Sequence, residues 1–166
     1  FAKENAKFTI DQSQIESIAK ATLEPFEREG GENPYTIQSD LQEMMQANVG
    51  IVRQHDEMVE ALNGLDVLRN RAARTYVPGN IDFNPAWHTA LDLHNLLVVS
   101  EAIARAAIER RESRGGHFRD DFPEKDPEFA KFNFAVKKSA GGGMEISQIP
   151  IPEMPEELSK VIEEMG

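Results

Sequence analysis

The densest run of chemically capable side chains is Arg110, Arg111, Glu112, Ser113, Arg114, Gly115, Gly116, His117, Phe118, Arg119, Asp120 and Asp121. A hydrolase could be assembled from it, with His117 as general base and Asp120 or Asp121 orienting the ring. No nucleophile or metal cluster supports that reading. The same residues suit a second role. Arginines after a helix favour its negative end. Gly115 and Gly116 free the chain from helical geometry and permit close backbone approach. Arg114 and Arg119 can form forked, charge-assisted bonds with carboxylates or carbonyls. Such a set anchors a loop against another surface, within this chain or beyond it. On this reading Glu112, Ser113, Arg114, Gly115, Gly116, His117, Arg119 and Asp121 form an interface motif.

Elsewhere the chemistry is sparse. The remaining histidines are His55, His88 and His94. His88 and His94 are six apart and do not share a helix face as ligands at i,i+4 would. His55-Asp56-Glu57 reads as a helix start, where carboxylates meet the positive end of the dipole. There is no Gly-x-Gly-x-x-Gly turn and no Gly-x-Ser-x-Gly elbow. Gly141-Gly142-Gly143 lacks the Gly-Lys-Ser/Thr ending of a phosphate loop. No residue is assigned a catalytic, cofactor-binding or metal-ligating role.

Hydrophobic periodicity predicts the elements that position this loop. A first helix is expected over about Asp11 to Glu29, with Ile15, Ile18, Ala19, Thr22, Leu23 and Phe26 on one face. Thr9 or Asp11 would cap it, and Pro25 would kink or shorten its last turn. Glu29 to Pro34 is a break. A second helix from near Thr36 carries Ile37, Leu41, Met44, Met45, Val49 and Val52, with both methionines read as core filler. A third from near Asp56 carries Met58, Val59, Leu62, Leu65, Leu68 and Ala72, with Gly64 as a weak point. Asn84 as cap and Pro85 at the first position open a fourth, running to about Arg111. Its first half, Trp87 to Val99, is apolar nearly all round, which predicts burial on several sides. Its second half has a wet strip of Glu101, Arg105 and Glu109.

Glu112 to Pro127 shows no periodicity. Ala130, Phe132, Phe134 and Val136 alternate with polar or small residues, and Met144 and Ile146 follow the Ser139 to Gly143 turn, so a β-hairpin is expected. Pro150, Pro152 and Pro155 then lead to a short acidic helix, Pro155 to Met165. The fold class is therefore mainly α: a three-helix-type bundle with a long fourth segment, over residues 1–112. The loop, hairpin and acidic tail occupy 113–166.

The chain has 166 residues, 40% hydrophobic and 28% charged, which suits a globular domain able to bury a core. Its net charge of −11 argues against nucleic acid, whose phosphates need surplus Lys and Arg, and disfavours anionic membrane surfaces. With no cysteine, thiolate metal sites, Cys-ligated iron–sulfur clusters and a thiol nucleophile are excluded within the chain. Phe1 to Asn5 shows neither an initiator Met nor a signal-peptide pattern, so the chain reads as part of something longer.

Taken together, Asn84-Pro85-Ala86-Trp87, Leu91 to Leu97, Ser100 to Ala104 and Arg111-Glu112-Ser113-Arg114-Gly115-Gly116-His117, with Arg119, Asp121, Phe122 and Pro123, resemble the succinate dehydrogenase and fumarate reductase flavoproteins. Asn33-Pro34-Tyr35, Leu41-Gln42 and Val49-Gly50-Ile51-Val52-Arg53 fit the helical domain of the same family. Gly116 stands where many members have Ala. The resemblance implies a C-terminal helical domain packed on a flavin domain, with Glu112 to Asp121 shaping the junction. It implies a parent that binds FAD, interconverts succinate and fumarate, and exchanges electrons with an iron–sulfur subunit. It places that parent on the inner face of the cell membrane through partner subunits, the membrane anchor being reached only indirectly. The family's flavin and substrate residues lie upstream, so none is carried over and the chain itself is not expected to be catalytic. L-aspartate oxidase shares the helix-and-loop pattern and is an alternative parent. The long hairpin tail, Phe129 to Pro152, favours the succinate dehydrogenases. An independent helical interaction module is the other alternative.

Overall fold

The computed structural model describes residues 10–165. In chain order these form α1 (Gln12–Glu27), α2 (Pro34–Asn48), β1 (Val52–Arg53), α3 (His55–Ala72), α4 (Pro85–Glu109), β2 (Phe118–Arg119), a 3-10 turn (Glu128–Ala130), β3 (Phe132–Lys138), β4 (Met144–Pro150) and α5 (Glu156–Met165). The expected class holds: a helical domain followed by a β-hairpin.

The helix starts follow from capping chemistry. Asp11 accepts the Ser13 N–H at 3.0 Å and opens α1. Thr9, the other expected cap, lies outside the described residues. Asn33 accepts the Tyr35 N–H at 2.9 Å with Pro34 at the first position, so α2 begins two residues before Thr36. Asn84 accepts from the N–H groups of Ala86 and Trp87 and opens α4 as expected.

The chain divides into two compact units. The first holds residues 10–44 and 63–99. Ile37 and Leu41 of α2, Leu65 and Leu68 of α3, Leu93 and Leu97 of α4, and Val77 are its buried side chains, each contributing roughly 1.5–3 kcal/mol on burial. Trp87 packs against Phe26 at 5.5 Å, and its indole N–H donates to the Thr22 carbonyl at 2.8 Å. Pro25 is buried in the last turn of α1, and its carbonyl accepts the Val77 N–H at 3.0 Å. The helix runs only to Glu27, since Arg28 is extended. Beyond it, Glu32 donates to the Arg74 carbonyl and accepts from the Tyr76 N–H, both at 3.1 Å. Gly31 makes this pairing possible: a Cβ there would stand 2.1 Å from the Arg74 oxygen, and its φ of +154° suits glycine. Gly64, inside α3, also makes room for Met44, since a Cβ there would meet the Met44 sulfur at 2.3 Å.

One expectation for α4 is corrected. The first half of α4 is not buried on several sides: Leu93 and Leu97 are buried, but Leu96, Val98 and Val99 are exposed. Composition alone cannot show which apolar flank meets a partner within the same chain. Phe83 also departs from ordinary backbone, with φ 54° and full exposure just before the Asn84 cap.

The second unit holds Met45–Leu62 with residues 100–165. Val49, Met58, Ala61, Ala104 and Ala107 form its buried cluster, with Met45, Leu62 and Ile108 against them. Alanines at three of these positions let backbones approach closely. Val52 does not extend the stripe of α2. The helix stops at Asn48, and Val52 joins β1, which pairs in parallel with β2 (Val52 with Phe118, Arg53 with Arg119). Glu112 to Pro127 therefore contains regular pairing that its sequence does not announce. Val59 is exposed rather than on the buried face of α3. Helix α4 ends at Glu109, two residues before Arg111, and Ala130 lies in the 3-10 turn rather than the strand. The antiparallel hairpin pairs Phe132 with Pro150 through Lys138 with Met144. Phe129, Phe132 and Phe134 cluster at its base, with the Arg110 guanidinium 5.3 Å from the Phe134 ring centre.

Candidate functional site

The interface motif folds as one hydrogen-bonded loop within the second unit. Arg114 and His117 exchange backbone bonds, the Arg114 N–H to the His117 carbonyl at 2.8 Å and the reverse at 3.1 Å. Gly115, at φ 60°, takes the first corner of that reversal, a position glycine fits without a Cβ clash. Ser113 fastens the loop from inside. Its hydroxyl accepts the Arg119 N–H at 2.8 Å and donates to the Phe122 carbonyl at 2.9 Å.

Two ion pairs, each with one buried member, hold the flanks. Glu112 is 0% exposed and takes a forked bond from Arg114 at 2.9 Å on each oxygen. Arg110 and the Asp126 N–H complete its partners. The Arg114 bonds outweigh burial and lower its pKa to about 2, with Asp126 and Arg110 adding to the effect. Arg119 is also 0% exposed. It forks onto Asp121 at 2.7 and 2.6 Å. Its remaining terminal nitrogen donates to the carbonyls of Ala107, Ile108 and Arg110 at 2.9 to 3.2 Å. A guanidinium is thus placed at the carbonyl end of α4, where the dipole favours a cation. Asp121 reaches further, accepting the His55 N–H at the start of α3 at 3.3 Å.

His117 joins the two helix ends. Nδ1 lies 2.7 Å from Arg53 Nη1, and Nε2 lies 3.0 Å from the Arg110 carbonyl. Arginine only donates and a carbonyl only accepts, so the ring is neutral with its hydrogen on Nε2. Burial lowers its pKa first, and the charges of Arg53, Arg119 and Arg110 act the same way. Arg53 in turn donates to the Val49 and Gly50 carbonyls at the end of α2.

This geometry excludes the hydrolase reading. Both nitrogens of His117 are committed to Arg53 and Arg110, and Asp121 serves Arg119 and His55 rather than the imidazole. Nor do these residues fit a dinucleotide. The guanidiniums of Arg114 and Arg119 are committed to carboxylates and carbonyls, leaving no cradle for a pyrophosphate. Among the described residues no group of three or more His, Cys, Asp and Glu could hold a metal. His94 instead lines a cavity with Ala72, Ala90 and Leu97.

The structure brings Glu112, Ser113, Arg114, Gly115, Gly116, His117, Arg119 and Asp121 together. Arg53 and Asp126 belong with them but were not assigned to the motif. Arg53 is 64 residues from His117, and its one sequence signal is its place in Val-Gly-Ile-Val-Arg, part of the family pattern.

A family model described as fumarate reductase flavoprotein C-term matches residues 38–161, from α2 into α5. The chain belongs to this family. The fumarate reductase flavoprotein subunit of Haemophilus influenzae is 34% identical over 123 residues, covering 71% of this chain and 20% of that protein. The succinate dehydrogenase flavoprotein subunit of Coxiella burnetii is 36% identical over 96 residues, 57% of this chain and 16% of that one. In the solved Sdh1 complex of Mycobacterium smegmatis in its apo form, one chain superposes with a TM-score of 0.80 at 37% identity, over 93% of this chain and 28% of that chain. The chain thus spans a fifth or less of the length of these curated relatives. The matches give no support to L-aspartate oxidase as parent.

Proposed function

We propose that this chain is the C-terminal structural and docking domain of an FAD-dependent succinate dehydrogenase or fumarate reductase flavoprotein. The helical bundle over 1–112 packs on the flavin domain, and the segment 113–166 forms the junction loop, hairpin and acidic tail. In the parent, FAD accepts hydride from succinate or delivers it to fumarate, and electrons pass to or from an iron–sulfur subunit. The chain holds none of that chemistry itself. The parent sits on the cytoplasmic face of the membrane through partner subunits. No helix among the described residues is long and apolar enough to cross a bilayer.

The observation that carries this reading is the family match over residues 38–161, together with a motif whose charged groups are spent on structure rather than left for a substrate. Exposed Leu96 and Val99, three residues apart on α4, supply an apolar flank for the flavin domain. Flavin titration of the 166-residue chain and of the natural-length polypeptide tests it. The reading requires no flavin bound by the former and stoichiometric FAD on the latter. Tight FAD binding by the 166-residue chain would overturn the docking role.

A further inference from the structure

Helix α5 carries an apolar face that nothing among the described residues covers. Leu158, Val161, Ile162 and Met165 are 56%, 48%, 58% and 84% exposed. At 3.6 residues per turn they fall within an arc of about 100°. Glu157 and Glu164 line one edge of that arc, while Glu156, Lys160 and Glu163 lie opposite it. An isolated helix of 10 residues is marginal in water, so this helix needs a surface to dock on.

From this juxtaposition of a bare stripe and a one-sided carboxylate edge, we infer that α5 docks on the upstream part of its own parent chain, in an apolar groove rimmed on one side by lysine or arginine. The inference rests on the flavoprotein reading above. Three physical points select this occupant. A net charge of −11 and an acidic helix repel anionic lipid. A second copy would bring a like-charged acidic edge to the contact. The relatives are several times longer than this chain, and the matching family is a C-terminal one, so most of such a parent lies upstream. A helix tethered to that surface by residues 151–155 and the hairpin meets it at an effective concentration on the order of millimolar, ahead of any separate subunit.

Amide hydrogen exchange of residues 156–165 in the natural-length polypeptide, purified without other subunits, is the test. The 166-residue chain gives the unprotected baseline. Docking predicts exchange at least ten-fold slower in the natural-length polypeptide, lost in Val161→Asp. Glu157→Lys and Glu164→Lys lose the protection, while Glu156→Lys and Glu163→Lys keep it. Each pair sits in the same helical turn, so the dipole contribution cancels within the comparison. Free exchange in the natural-length polypeptide overturns the inference. So does protection that appears only when other subunits are added, or equal loss in all four lysine variants. FAD measured in the same sample separates the outcomes: missing flavin sinks the parent assignment, whatever α5 does.

Discussion

At the scale of single residues, Glu112 and Arg119 are buried charges that hold the loop by being paired. Removing one partner of such a pair leaves the other uncompensated in a poorly solvated place. Arg119→Met is therefore expected to cost about 3–5 kcal/mol, because Asp121 and the carbonyls of the last turn of α4 lose their donor together. Urea unfolding monitored by circular dichroism would measure it, and a loss under about 1 kcal/mol would refute the account of Arg119. The carboxyl of Glu112 falls from an ordinary 4.5 to about 2. A depressed carboxyl stabilises the fold above its unfolded pKa and ceases to do so as pH falls through the folded one. Stability should thus drain away between 4.5 and about 2, and Glu112→Gln should flatten that part of the pH–stability curve. His117 acts earlier. Its pKa is lowered, so the folded state resists a proton that the unfolded ring accepts below about 6.5. Folding stability falls as pH drops below that value, and His117→Gln should remove this limb without altering the Glu112 limb.

At the scale of elements, capping chemistry made the starts of α1 and α4 legible. Asp11 and Asn84 each accept backbone N–H groups two or three residues on, as their residue types suggest, whereas Asn33 caps α2 from a stretch that reads as a break. The hairpin was legible because alternation at period two has few other causes. What escaped depended on distant partners. Val52 matches the spacing of α2, but its backbone pairs with Phe118, a partner 66 residues on that no local window contains. The apolar first half of α4 was over-read for a related reason, since apolar residues around a helix signal contact without naming the chain that makes it. Likewise the Arg-Glu-Ser-Arg-Gly-Gly-His run announced an anchor, but the anchoring of His117 by Arg53 is a tertiary fact. Gly31 illustrates an element held by backbone contact. Gly31→Ala should destabilise the first unit by more than about 1 kcal/mol, since the added methyl meets the Arg74 carbonyl and φ is positive. A thermal midpoint unchanged by the substitution would show that the backbone segments at Glu32 and Arg74 can part at little cost.

At the scale of the whole molecule, each of the two units satisfies its buried polar groups from within and leaves some apolar side chains exposed. The motif is satisfied by its own neighbours, whereas Leu96 and Val99 on α4 and the stripe of α5 are exposed among the described residues. That division of labour is what a docking domain requires, and it agrees with a family found at the end of much longer flavoproteins. Arg114→Ala in the natural-length polypeptide is expected to lower stability or assembly, because buried Glu112 loses its forked donor. Wild-type stability and flavin content in that variant would contradict a junction role for Arg114. The most direct measurement is an anaerobic titration of the natural-length polypeptide with succinate, following the flavin absorbance. Bleaching of bound flavin by succinate, reversed by fumarate, is the predicted result. A polypeptide that carries no flavin, or whose flavin stays oxidised at saturating succinate and reduced in excess fumarate, would contradict the assignment.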